Sequence, residues 1–190
     1  MGGLILQVLK ILNSKEIKQI LRLIENHWGA KIKLDCGFLK NQKNRIFLIS
    51  KDISRIDVSR LKINSIGMYF CEIDNQGIRL SIEGSQIIGP KAHKNIVEIN
   101  EEEIKEWFIG EGIEKECKDC SGFVILKREN DFFGNGKYAN GKILNYVGKS
   151  RRVKINATTV DYGIGPLSRQ QVYTRKIHTK MMYASYIWPT

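Results

Sequence analysis

Acidic residues are almost missing from the end of this 190-residue chain: residues 137–190 hold ten Lys or Arg and a single acidic side chain, Asp161. The first 99 residues carry 16 basic and 9 acidic side chains, and residues 100–136 carry 5 and 10, so the three stretches stand at +7, −5 and +9 within a total of +11. A cationic stretch without acidic neighbours to pair with points to a polyanion, nucleic acid before an anionic membrane surface. Proline is also scarce, with three residues, and cysteine is limited to four. Few prolines and 42% apolar residues exclude wholesale disorder. Four cysteines are too few for a disulfide scaffold and agree with a reducing cytoplasm. No window holds the roughly 20 uninterrupted apolar residues a membrane-spanning helix needs. The apolar opening Leu4–Leu12 lacks a basic segment before it and a small-residue cleavage site after it, so a buried strand or turn is expected there rather than a signal sequence.

Asn13-Ser14-Lys15-Glu16 reads as a helix start, with Asn13 or Ser14 as the cap. Ile17, Ile20, Leu21, Ile24 and Trp28 follow at spacings of three and four before Gly29, which predicts an amphipathic helix over 14–28. Short apolar or alternating runs predict strands at Ala30–Leu34, Arg45–Ser50, Gly67–Ile73 and Ile78–Ile82, the last two forming a hairpin around Asn75-Gln76-Gly77. Pro90 marks the boundary of a polar stretch and places a junction near residue 94. Beyond it come a strand over 95–99 and a second helix opened by Asn100-Glu101-Glu102-Glu103, with Ile104, Trp107 and Phe108 as its buried face. Gly110 and Gly112 end that helix. A strand over 122–127 and the glycine-rich Phe132–Lys137 follow, and Asn140-Gly141 turns the chain into Lys142–Tyr146.

The stretch from Gly134 to Lys154 combines glycines, which would let backbone approach a ligand, with Lys149, Arg151, Arg152 and Lys154, which suit phosphate, and Tyr146, which could stack on a base or sugar. Gly134-Asn135-Gly136 lacks the third glycine and the helix of a dinucleotide fingerprint. Cys117-Lys118-Asp119-Cys120 offers half of a zinc site, a redox pair or an ordinary reduced loop. The last is expected, because Cys36, Cys71, His27 and His93 stand at no ligand spacing and no thioredoxin-like unit surrounds the pair. The acidic first turn at Glu101–Glu103 is explained by capping rather than acid–base chemistry. In the tail 166–190, Arg169, Arg175, Lys176 and Lys180 interleave with Tyr173, Tyr183, Tyr186 and Trp188. That pattern fits a single-strand-binding arm, a final element packed through its apolar residues, or irregular sequence without a role.

The run Trp107–Ile113, the strand at 122–127 and Gly134–Lys137 together resemble a PUA domain, a small pseudo-barrel of RNA-modifying enzymes and ribosome-biogenesis factors. Asn145–Val153 is similar to the PUA-like RNA-binding tail of Sun-type RNA cytosine-5 methyltransferases, with Gly148 where that pattern usually has proline. The N-terminal half, through Ser65–Cys71 and Gly77–Ile82, resembles the domain preceding the PUA domain in the Nip-seven ribosome-biogenesis family. The resemblance implies an α+β protein: an N-terminal α/β pre-PUA-like domain over 1–94, a PUA-like, mostly β pseudo-barrel over 95–165, and the basic and aromatic tail 166–190. It implies binding of structured rRNA or tRNA, with Gly110 and Gly112 matching the family's glycine-marked loop and Lys149, Arg151 and Arg152 its basic terminal motif; the basic and aromatic residues Lys137, Lys142, Tyr146 and Lys154 complete the expected RNA-binding set. It also implies assistance to an RNA-modification enzyme or a pre-ribosomal particle in the cytoplasm, with no cofactor, metal or catalytic group. A Sun-type methyltransferase would need a dinucleotide-like S-adenosylmethionine unit and cysteines following prolines, and the chain has no Pro-Cys pair. A small RNA-modifying enzyme and a protein-docking adaptor are the rival expectations. The first requires a pocket of polar side chains with perturbed ionisation, the second a large apolar patch on the N-terminal half.

Overall fold

A computed structural model describes residues 9–51 and 67–153. Two five-stranded sheets and three α-helices make up this part. Strand β1 (Lys10–Ile11) precedes helix α1 (Ser14–Trp28), and β2 (Gly37–Lys40), β3 (Arg45–Ile49), β4 (Met68–Asp74) and β5 (Gly77–Leu80) complete an antiparallel sheet in chain order. Helix α2 (Ile82–Ile88) and a 3-10 turn at Gly89–Lys91 lead to β6 (Ile96–Glu98), α3 (Glu101–Ile109), β7 (Ile113–Glu114), β8 (Gly122–Arg128), β9 (Asp131–Ala139) and β10 (Lys142–Leu144). The second sheet has the order β6-β8-β9-β10-β7, with β6 parallel to β8 and the other pairs antiparallel. Its edge strands β6 and β7 are not paired to each other, so the α+β architecture holds while the second sheet is open rather than a closed barrel.

Local chemistry explains the regular elements. The Asn13 side chain accepts from Lys15 and Glu16 backbone N–H groups at 3.0 Å, and the Glu16 carboxylate accepts from the Asn13 N–H, which closes a capping box. Asn100 and Glu103 repeat the device at the start of α3. Between β9 and β10, Asn140 and Gly141 both take positive φ (50° and 74°) as the two central residues of the turn, which is the geometry that matches hairpin twist.

Three local readings change. Ala30–Leu34 is not a strand: Ala30 is buried and Ile32 and Leu34 pack against the first core, but the backbone has no ladder partner, so its alternation reflects burial alone. The strand expected over 78–82 stops at Leu80, because the Ser81 hydroxyl accepts from Gly84 N–H at 2.8 Å and starts α2, a helix too short to show a 3.6-residue period. The run Lys142–Tyr146 leaves the sheet after Leu144, where the Asn145 side-chain Oδ1 accepts from Val147 N–H at 2.8 Å and turns the chain.

The two sheets share side chains of β8 and β9. Phe123 and Ile125 join the core built from α1 and the first sheet, whereas Val124 and Leu126 face the core formed by α3 and the second sheet. Phe132 and Phe133 divide in the same way. Burial of each such side chain contributes about 1.5–3 kcal/mol. Buried Asn135 adds a polar tie: its amide donates to Val124 O at 3.0 Å, and its oxygen accepts from Leu80 N–H at 3.3 Å. The glycines of β9 serve packing as well, since a β-carbon at Gly136 would lie 2.8 Å from the Trp107 ring. Protein, not ligand, fills that space.

Candidate functional site

Helix α3 ends at Gly110, whose φ of 106° lies in the region that favours glycine. The segment after β10 wraps across that end. The Asn145 amide donates to Trp107 O at 2.7 Å and Glu111 O at 2.9 Å, and Val153 N–H donates to Phe108 O at 2.7 Å. Arg152 donates from Nε to Val147 O at 3.0 Å and lays its guanidinium over Gly110. A cation at the carbonyl end of a helix is electrostatically favoured. Gly110 and Arg152 are thus brought into contact, and Gly112 lies under β10, where a β-carbon would sit 3.0 Å from Ile143 O and from Lys142 Cε.

A second group of the expected residues gathers where β9 and β10 approach the hairpin between β4 and β5. Lys137 donates to Gln76 Oε1 at 2.9 Å, and its cross-strand neighbour Leu144 is 40% exposed. Tyr146 is 37% exposed, with the Arg79 guanidinium 4.9 Å from its ring centre and the Phe123 ring at 5.6 Å in an edge-on arrangement. Lys142 is paired with Glu114 at 3.6 Å. Lys149 is exposed in a 3-10 turn at Lys149–Arg151, and no acidic partner faces it among the described residues. Arg151, from the same turn, is ion-paired with Glu83 of α2. Lys154 and the tail 166–190 lie outside the described residues.

Arg79, Gln76, Leu144 and Asn145 are not among the expected RNA-binding residues, although Gln76 lies in the expected turn and Asn145 opens the motif that resembles the PUA-like tail. Arg79 belongs to a ladder across the first sheet in which Glu72 accepts from Arg45 Nε at 3.0 Å and from Arg79 Nη2 at 3.0 Å, with the Tyr69 hydroxyl at 3.3 Å. Burial alone would raise the Glu72 pKa, but Arg45, Arg79 and Tyr69 outweigh it and hold the carboxyl below its ordinary value. Burial pushes the Tyr69 phenol up, so it remains a donor. The C-x-x-C loop differs from the reduced state expected. Cys117 and Cys120 form a disulfide, because a turn closed by Cys120 N–H to Cys117 O at 3.4 Å brings their Cα atoms to 5.3 Å. Among the described residues no group of three or more His, Cys, Asp or Glu side chains could hold a metal, and no helix is long and apolar enough to cross a membrane.

Residues 94–153, which contain α3, the second sheet and the segment wrapped over Gly110, match the family described as the Methyltransferase RsmF PUA domain. The chain is also similar to ribosomal RNA small subunit methyltransferase F of Aeromonas salmonicida, 25% identical over 134 residues that cover 70% of this chain and 27% of the relative. The enzyme of the same name from Vibrio campbellii is 23% identical over 138 residues, covering 70% and 28%. That from Vibrio cholerae is 24% identical over 131 residues, covering 69% and 27%. These alignments are longer than the PUA segment and everything after it combined, so the similarity extends into the N-terminal half. The chain spans about a quarter of the length of these curated relatives. Residues 94–153 are therefore PUA-like, similar to the PUA domain of the RsmF methyltransferases.

Proposed function

We propose that this protein binds structured ribosomal RNA through its PUA-like domain and assists its modification without itself carrying the reacting groups. One observation carries the reading: on the segment that matches the RsmF PUA family, Lys137 lies opposite exposed Leu144, exposed Tyr146 follows two residues later, and Lys142 on β10 and exposed Lys149 in the next turn flank them along the chain. Lys137 is matched by a neutral amide and Lys149 by no carboxylate among the described residues, so the face keeps positive charge available for phosphate. The names of the relatives favour ribosomal over transfer RNA. A methyltransferase or a pre-ribosomal particle is the partner this reading supplies. The non-catalytic role draws support from the thiols: burial pushes Cys36 up to about 11 and Cys71 further, opposite to the shift that activates a cysteine nucleophile.

The structure changes which residues test the proposal. Arg151 and Arg152 are engaged by Glu83 and by the end of α3, so their removal would confuse binding with folding. Replacing Lys137, Lys142 and Lys149 by alanine leaves both contacts intact. Binding to small-subunit rRNA fragments across a salt series should show wild-type affinity falling with salt, and the triple variant should lose about 2 from the log–log slope if three single-strand phosphates are contacted. Equal affinity and equal slope in the two proteins would overturn the reading.

A further inference from the structure

Tyr146 is seated by both halves of the protein. It follows β10 in the second sheet, yet the cation over its ring, Arg79, belongs to β5 of the first. Arg79 is itself held by Glu72 at 3.0 Å and only 19% exposed, and the same carboxylate is braced by Arg45 and Tyr69. The ring thus has a fixed support while remaining 37% exposed, unlike an aromatic side chain that merely fills a core. Leu144, two residues earlier, is 40% exposed and lies opposite Lys137, whose ammonium reaches across to Gln76 on the β4–β5 turn. An ordered ring, an aliphatic neighbour and a cation at the border are complementary to a flat π-face carrying a phosphate. That description fits a nucleotide. In a duplex both faces of each base are already stacked on neighbours, so only an unpaired nucleotide presents such a face.

We propose that Tyr146 and Leu144 form a stacking platform for one unpaired nucleotide of the bound RNA, with Lys137 contacting the adjoining phosphate and Arg79 positioning the Tyr146 ring from the neighbouring sheet. The inference rests on the RNA-binding reading and deepens it: the target is a single-stranded or bulged site, and the surface that reads it is composite. Guanidinium against the ring also explains why Arg79 is spent on an aromatic contact rather than exposed to solvent.

The test uses the full chain and an oligoribonucleotide bearing one 2-aminopurine, presented either single-stranded or within a complete duplex. Expected are quenching of the single-stranded probe on binding and at least about tenfold weaker binding of the duplex. Tyr146→Ala should abolish the quench and weaken single-strand binding about tenfold. Tyr146→Phe should retain both, which separates loss of the ring from loss of the fold, and circular dichroism melts check the fold directly. Arg79→Ala should weaken the quench, and Arg79→Ala with Tyr146→Ala should be no worse than Tyr146→Ala alone, as expected for a residue that acts through the ring. If folded Tyr146→Ala binds like wild type, or single strand and duplex bind alike without quenching, the platform is overturned. Should the Lys137, Lys142 and Lys149 variant still lose affinity in that case, RNA binding itself stands. If the folded chain binds neither RNA, both readings fall.

Discussion

The guanidinium of Arg152 occupies the space that a side chain on Gly110 would need, with Cζ 2.6 Å from the position of a β-carbon there. The residue that ends α3 and the residue 42 positions later are thus one packing unit, closed by the Arg152 bond to Val147 O. Gly110→Ala should lose about 1–2 kcal/mol from its left-handed backbone alone. It should lose more from displacing Arg152. Urea unfolding checks this, and Gly110→Ala combined with Arg152→Ala should recover the steric part while keeping the backbone part. Equal losses with and without Arg152 would mean that the guanidinium can swing away at no cost.

Glu72 joins two arginines and a tyrosine on the exposed side of the first sheet, and its folded pKa is depressed. A depressed carboxyl stabilises the fold above its unfolded pKa, near the ordinary 4.5, and loses that contribution as pH falls through the folded value. Glu72→Gln should therefore destabilise by about 1.5–3 kcal/mol at neutral pH, the range of hydrogen bonds to a charged group. The gap between variant and wild type should stay level down to about pH 5 and narrow below it. Chemical denaturation at a series of pH values measures the gap directly. A gap independent of pH would show that Gln loses packing rather than charge.

Much of this was legible because some instructions are local. Asn13 with Glu16, Asn100 with Glu103, and Asn140-Gly141 each specify a cap or a turn from neighbouring residues, and each forms as read. Where the signal was only alternation, at Ala30–Leu34, the pattern could not distinguish a paired strand from an irregular segment dipping into the core. Helix α2 escaped because Gly84 interrupts it and seven residues are too few for a period. Of the site, the basic residues were visible as composition, but Arg79 and Tyr146 are 67 positions apart and meet only when the two sheets pack. Arg152 and Arg151 look alike in sequence, and only the fold turns one toward a helix end and the other toward Glu83.

The Cys117–Cys120 disulfide closes a very short loop, so its entropic contribution is small, about 2 kcal/mol at most. Native protein treated with iodoacetamide should label no cysteine, because Cys36 and Cys71 are buried with raised pKa values. Mild reduction should expose Cys117 and Cys120 alone, with Cys36 and Cys71 reacting only in denaturant. Peptide mapping by mass spectrometry separates these sites. Labelling of Cys117 without prior reduction would show that the pair is held as thiols.

Glu83 holds Arg151 away from the anionic partner proposed for this face. Both side chains reach the surface, Arg151 at 54% exposure and Glu83 at 14%, so the pair competes with any phosphate that approaches the 3-10 turn at Lys149–Arg151. Removing the carboxylate with Glu83→Ala deletes one negative charge from the first turn of α2, which costs about 0.3–1 kcal/mol of stability. It also frees a guanidinium beside Lys149. Binding to ribosomal RNA fragments at low salt should therefore tighten about two- to fivefold, and the salt dependence should steepen by about 0.7, the share of one further single-strand phosphate. Both gains should vanish when Arg151→Ala is added, because the released cation is then absent. Tighter binding that survives in the double variant would instead assign the effect to lost repulsion between Glu83 and the phosphates.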